Sequence, residues 1–188
     1  MAFRVTSRFY EGMDHLVVLT DEEKAFALDV VATTRSEQNK KAKTKQRRGA
    51  EKWDRKTLDN LGACGEQAVA KFLGMEWDGN LGDWTAPDVG PYEVRTRSRH
   101  SYDLPVMPET KDETKGDVPF ILVTCEDVNL DYFQIRGWIY GHEAMRERYW
   151  RTPSGKTWEG GACWLVRPHE LWSMDQFPRE DNGKPNAG

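Results

Sequence analysis

The chain has 188 residues, enough for one domain with a substantial core. Its charged fraction of 31% is mixed in sign, and eight Trp, seven Phe and six Tyr exclude a disordered chain. A net charge of −4 excludes a protein that coats nucleic acid through bulk charge, and leaves room for a local basic groove.

The three cysteines, Cys64, Cys125 and Cys163, lie far apart and form no C-x-x-C pair. That pattern reads as reduced thiols, not a disulfide frame or a zinc site. The first 15 residues lack the apolar stretch of a signal peptide. The longest apolar run, VPFILVTC, is too short to cross a bilayer. A cytoplasmic protein with no membrane partner is expected.

In chain order, residues 15–20 (HLVVLT) read as a strand. Thr20 is the expected N-cap of the following helix, with Glu23 three residues on as in a capping box. Phe26, Ala27, Val30, Val31 and Thr34 follow helical spacing. Residues 35–56 hold ten basic residues against three acidic ones and no apolar stripe. They read as a helix extension or a mobile loop. A solvated face explains such a run. So does a phosphate-contacting arm through Lys40, Lys41, Lys43, Lys45, Arg47 and Arg48, whose grip on a backbone would weaken steeply with salt.

Residues 57–74 form the best helix. Leu58, Leu61, Ala68, Val69 and Phe72 make its core stripe, and Gly74 its C-cap. Glu66 lies mid-helix, ringed by Gly62, Ala63, Val69 and Ala70. Small neighbours let a carboxylate approach another element, although plain helix surface explains a lone Glu. In YEVRTRS, Glu93, Arg95 and Arg97 share one strand face, with Val94 and Thr96 on the other. Asp88 precedes Glu93 across a bend at Gly90 and Pro91, so the two carboxylates can meet. Converging carboxylates repel unless a proton or a cation intervenes, and Mg²⁺ is held by such groups with water and phosphate.

DLPVMP is a short strand between prolines. PFILVTCE is the strand of a sheet interior, YFQIRGWIYG another strand, GHEAM a short helix and ACWLVRPHEL a last strand. PETKDETKGD reads as a solvated loop, from which Lys111 or Lys115 could swing toward the acids. Arg97, Arg99 and His100 suit flanking phosphates or the polar end of a strand. HEAMR lacks the second His of a zinc-protease helix. Trp138, Trp164 and Trp172 read as packing, whereas Trp77 and Trp84 lie near enough to the acids in sequence to contact a base. The order of elements implies an α/β fold with a central mixed β-sheet flanked by helices. One domain over residues 1–177 and a flexible tail over 178–188 are expected.

GEQAVAKFLG, then APDVG, then YEVRT resembles the active-site string of the PD-(D/E)XK nuclease superfamily. That resemblance, to small phage and bacterial members, implies a restriction-endonuclease-like fold and a nuclease cutting DNA with Mg²⁺ or Mn²⁺, by exo- or endonuclease action, in the host cytoplasm if the chain is phage-encoded. Carried over, Glu66, Asp88 and Glu93 are metal ligands, with the Val94 carbonyl a further one. Arg95 stands where the family has lysine. Arginine stabilises charge on phosphate but does not deprotonate, so it is no base. Two rivals follow. One is a nuclease fold that binds nucleic acid or protein without turnover. The other is an unrelated α/β domain with a charged edge strand, in which Glu66 and Glu93 lie far apart.

Overall fold

The computed structural model describes residues 15–41, 55–81, 86–108, 115–152 and 162–178, and only the backbone of 38–41 and 55. Strand β1 (Leu16–Val18) leads into helix α1 (Asp21–Ala25), a π-helical stretch (Phe26–Ala32) and α2 (Thr33–Lys41). Helix α3 (Arg55–Leu73) precedes β2 (Glu93–Arg97), β3 (Leu104–Val106), β4 (Pro119–Thr124) and β5 (Tyr132–Tyr140). Short helix α4 (Gly141–Ala144), β6 (Trp150–Arg151) and β7 (Cys163–Val166) follow.

The capping box forms as the sequence implies. Thr20 Oγ1 accepts from the Glu23 amide at 3.2 Å, and the Thr20 amide donates to Glu23 Oε2 at 2.7 Å. Lys71 of α3 then donates to the same Glu23 oxygen at 2.6 Å and to the Val18 carbonyl at 2.9 Å, tying the two helical units to β1. Gly74, at φ +68°, ends α3 in the left-handed conformation that a side chain disfavours.

β1, β5, β4 and β2 form a four-stranded sheet in that order. β2 runs parallel to β4 and the other pairs are antiparallel, so the sheet is mixed. β4 is buried on both faces and its alternate residues serve two cores. Ile121 and Val123 join Ala63, Ala68 and Val69 of α3 and Ala27 and Val31 of the first helical unit. Phe120 and Leu122 join Leu104, Val106, Trp164 and Val166.

The architecture is therefore mixed α/β, with one difference from the sequence reading. The long helices lie on one face, and a second, three-stranded sheet in the order β3-β7-β6 backs the other core. Its strands are two to four residues long, too short for alternation to mark them as a sheet. The helix after Thr20 also departs from a plain α pattern. Ala27, Val31 and Ala32 are buried while Val30 is 41% exposed. The wider π turns shift the inward face from that expected of α spacing.

Candidate acid and cation cluster at the edge of the sheet

α3 packs on the Val94 and Thr96 face of β2, the outermost strand of its sheet. The contact is closest at Gly65, where a Cβ would run into the Thr96 side chain. Gly62, one of the small residues expected to make room for Glu66, faces open space. Gly65 places Glu66 at the strand edge, with 6% of its surface exposed. Its signal in the sequence was the small residue adjacent to an acid in a core helix.

Asp88 is aimed by a four-residue turn. Val89 and Tyr92 exchange backbone hydrogen bonds of 3.1 and 2.9 Å across Gly90, at φ +52°, and Pro91. Trp77 Nε1 and Asn80 Nδ2 each donate to the Asp88 carbonyl at 3.1 Å. Asp88 Oδ2 accepts from the Val94 amide at 2.8 Å and from Arg95 at 3.2 Å. The bend thus brings Asp88 to Glu93's strand, as its sequence implied.

Each acid meets a cation. Arg35 grips Glu66 with two hydrogen bonds of 2.7 and 2.8 Å and also donates to the Gly79 carbonyl at 3.0 Å. Arg95 donates to Glu93 Oε2 at 3.0 Å, to Asp88, and to the Val94 carbonyl at 2.8 Å. Its guanidinium lies 5.2 Å from the centre of the Phe120 ring. Lys115 Nζ donates to the other Glu93 oxygen at 2.5 Å.

Burial pushes the Glu66 carboxyl up to about 7, with Arg35 pulling the other way. The Asp88 and Arg95 charges also act on Glu66, and the Glu93 charge acts on Asp88. Burial likewise raises Asp88, opposed by Arg95. Glu66 is therefore coupled to Asp88 and Arg95, and Asp88 in turn to Glu93.

Arg35 occupies a place the sequence did not announce, and Lys115 one that the sequence offered only as an option. Arg35 heads the basic run but points into the site, where it occupies an acid and not a phosphate backbone. Lys115 is no solvated loop residue. Its carbonyl accepts from the Val118 amide at 3.4 Å, and the adjoining Gly116 carbonyl accepts from the His142 amide at 2.8 Å, which seats the segment on α4. Arg97 is largely buried with its guanidinium 5.1 Å from the centre of the Tyr102 ring, and exposed Arg99 shares that ring at 5.9 Å. α2 ends at Lys41, and the side chains of Lys40 and Lys41 lie outside the described residues. So do Lys43, Lys45, Arg47, Arg48, Trp84 and Lys111, and the tail from residue 179.

Trp138 and Trp164 are core residues, and Trp172 packs edge-on against Trp138 at 4.7 Å between ring centres. The three cysteines are free and buried, with burial pushing Cys64 up to about 12 and Cys125 to about 11. No described helix is long and apolar enough to cross a membrane.

The cluster's oxygens are hard donors of the kind Mg²⁺ or Mn²⁺ takes. Among the described residues, no three acidic, His or Cys groups stand arranged to hold a metal. The carboxylates are turned onto Arg35, Arg95 and Lys115, and the Val94 carbonyl onto Arg95. A cation would have to displace these partners. No family model matches the chain, and neither a curated protein nor a solved structure matches it.

Proposed function

We propose that the chain is a metal-dependent nuclease of the PD-(D/E)XK kind, hydrolysing phosphodiester bonds of DNA. The observation that carries this reading is the pairing of both Asp88 and Glu93 with Arg95, whose charge also acts on Glu66, with the Lys115 ammonium already on Glu93. In this reading Glu66, Asp88, Glu93 and the Val94 carbonyl hold Mg²⁺ or Mn²⁺ once their own cations swing away. The metal, when bound, supplies Lewis-acid activation of water and phosphate.

The chain's own residues supply the rest. Arg95, freed from Asp88, presents a fork of donors to a phosphate oxygen and stabilises the charge that builds in the transition state. Lys115 reaches Glu93 from a different segment and takes the place of the lysine missing from the strand. Its ammonium orients the attacking water or donates to the leaving oxygen. Arg35 is exchanged between Glu66 and the substrate backbone.

A second reading is favoured by the pairing of Glu66, Asp88 and Glu93 each with a cation and by the lack of a ready metal cluster among the described residues. In it the domain binds nucleic acid or a protein partner without turnover. The test is cleavage of single- and double-stranded DNA and RNA with Mg²⁺ or Mn²⁺, with a chelator and Glu93→Ala as controls. Metal-dependent cutting lost in Glu93→Ala is the expected result. No cutting of any substrate by folded protein assigns the binding module instead.

A further inference from the structure

A second group of cations lies farther along β2. Arg97, two residues beyond Arg95, ends the strand. Its Nε is buried and has no hydrogen-bond partner among the described residues. Burial holds its guanidinium below the ordinary arginine range. The same orphaned Nε is found at Arg136 on β5.

Arg136 is placed by an irregularity in the sheet. Leu122 pairs with Gly137 and Val123 with Ile135, so Arg136 is the extra residue of a bulge. A bulge re-aims a side chain and recurs beside functional sites. Here Arg136 donates to Gln134 Oε1 at 2.7 Å and lines a cavity of about 450 Å³. His100, Asp103, Arg167 and His169 line the same cavity. The Thr124 hydroxyl fixes the His100 ring through Nδ1 at 2.7 Å. Asp103 is the one carboxylate of the lining, against two arginines.

The contrast with the acid cluster is chemical. Arg35, Arg95 and Lys115 are ion-paired. Among the described residues, Arg97, Arg136 and Arg167 have no such pair. A buried guanidinium donor without an acceptor is costly to leave unsatisfied. Arg136 and Arg167 come to the cavity from two separate segments, with two imidazoles beside them. That suits a tetrahedral oxyanion better than a planar carboxylate.

We infer that this cavity is an oxyanion site that takes a phosphate group, supplied by the nucleic-acid strand held at the acid cluster. Glu93 and Arg97 are four residues apart on one strand face, about 13 Å. His100, three residues beyond Arg97, lines the cavity, so a strand engaged at Glu93 and running along β2 is led toward it. The oxyanion site stands on its own residues; its supply by a nucleic-acid strand rests on the proposed function.

The test is calorimetric titration of inorganic phosphate, and separately of a short single-stranded DNA in chelator, into the full chain. Arg136→Gln and Arg167→Ala are compared with wild type. Arg167 is exposed, so its variant keeps the site testable should Arg136→Gln fold poorly. Phosphate binding at one site, weakened about tenfold or more by each arginine change, is expected. The DNA should weaken in parallel and compete with phosphate. No phosphate binding, or equal affinity in wild type and both arginine variants, overturns the site. Phosphate affinity lost with DNA affinity unchanged overturns the strand as the source and assigns the cavity to free phosphate or a nucleotide. Failure of the nuclease reading shows separately, as a wild type that binds phosphate here yet cuts nothing.

Discussion

Glu66 is held by opposed forces. Burial pushes its carboxyl from 4.5 up to about 7, while Arg35 stabilises the ionised form. Between those two pH values the folded chain keeps a proton that the unfolded chain has released, so Glu66's contribution to stability falls as pH rises through the window. Asp88 shifts in the same direction from the same leading cause. Glu66→Gln removes the titration. Its melting temperature should therefore rise relative to wild type between pH 5 and 8, by an amount equivalent to roughly 1–3 kcal/mol. A constant difference across that range would mean that Arg35 keeps Glu66 ionised throughout. Lys115 carries a second prediction at this scale. On the proposed nuclease reading, Lys115→Ala should lower kcat by about a hundredfold or more with little change in KM, as expected for loss of a donor that acts in the transition state. Lys115→Arg, which keeps the charge and loses the compact ammonium, should fall between them. Steady-state cleavage kinetics check both; an unchanged kcat in Lys115→Ala would leave Lys115 as a mere neutraliser of Glu93.

The meeting of α3 with β2 depends on one missing methyl group. At Gly65 a Cβ would strike the Thr96 side chain, whereas at Gly62 it would meet nothing. Gly65→Ala should therefore destabilise by about 1–3 kcal/mol through overpacking, despite alanine's better helix propensity. Gly62→Ala should stabilise by about 0.5–1 kcal/mol. Denaturant unfolding of the pair separates packing from propensity, and equal effects would show that the helix stands off the strand. The same elements mark what sequence could yield. The cap at Thr20, the stripe of α3 and the alternation of β2 are local patterns with a mechanism, and they were legible. The π turns were not, because apolar spacing cannot distinguish a widened turn from a regular one. Burial of Ala32 and the inward aim of Arg35 went with them. Lys115 was legible only as an option, since its docking depends on Gly116 and His142, which are far from Glu93 in sequence.

The whole molecule is organised around β4, which shares one face with the helical core and the other with the small second sheet. Among the described residues β2 is thereby left at the edge of its sheet, with Glu93 on it, Asp88 bonded to it from the preceding turn and Glu66 coupled to Asp88 from α3. The motif named these acids, but only tertiary structure could supply their partners, because charge pairing between distant segments leaves no local pattern. Those partners pose the question of metal at the scale of the whole fold. A divalent cation that binds the folded chain alone stabilises it by mass action, by about 2.7 kcal/mol at a hundredfold excess over Kd. For a chain of 188 residues that corresponds to a rise of roughly 5–10 °C. Displacing Arg35 from Glu66 and Arg95 from Asp88 reduces the binding free energy itself, so the rise should emerge only at higher metal concentration than an open carboxylate site would need. Melting curves across a Mn²⁺ series should thus show a late but saturable increase in wild type, absent in Glu93→Gln. Neutralising Arg35 as Arg35→Met should move the onset to lower metal, since one competitor for Glu66 has gone. A wild type indifferent to Mn²⁺ and Mg²⁺, with Arg35→Met equally indifferent, would leave the cations as permanent partners of the acids and the sheet edge as a binding surface.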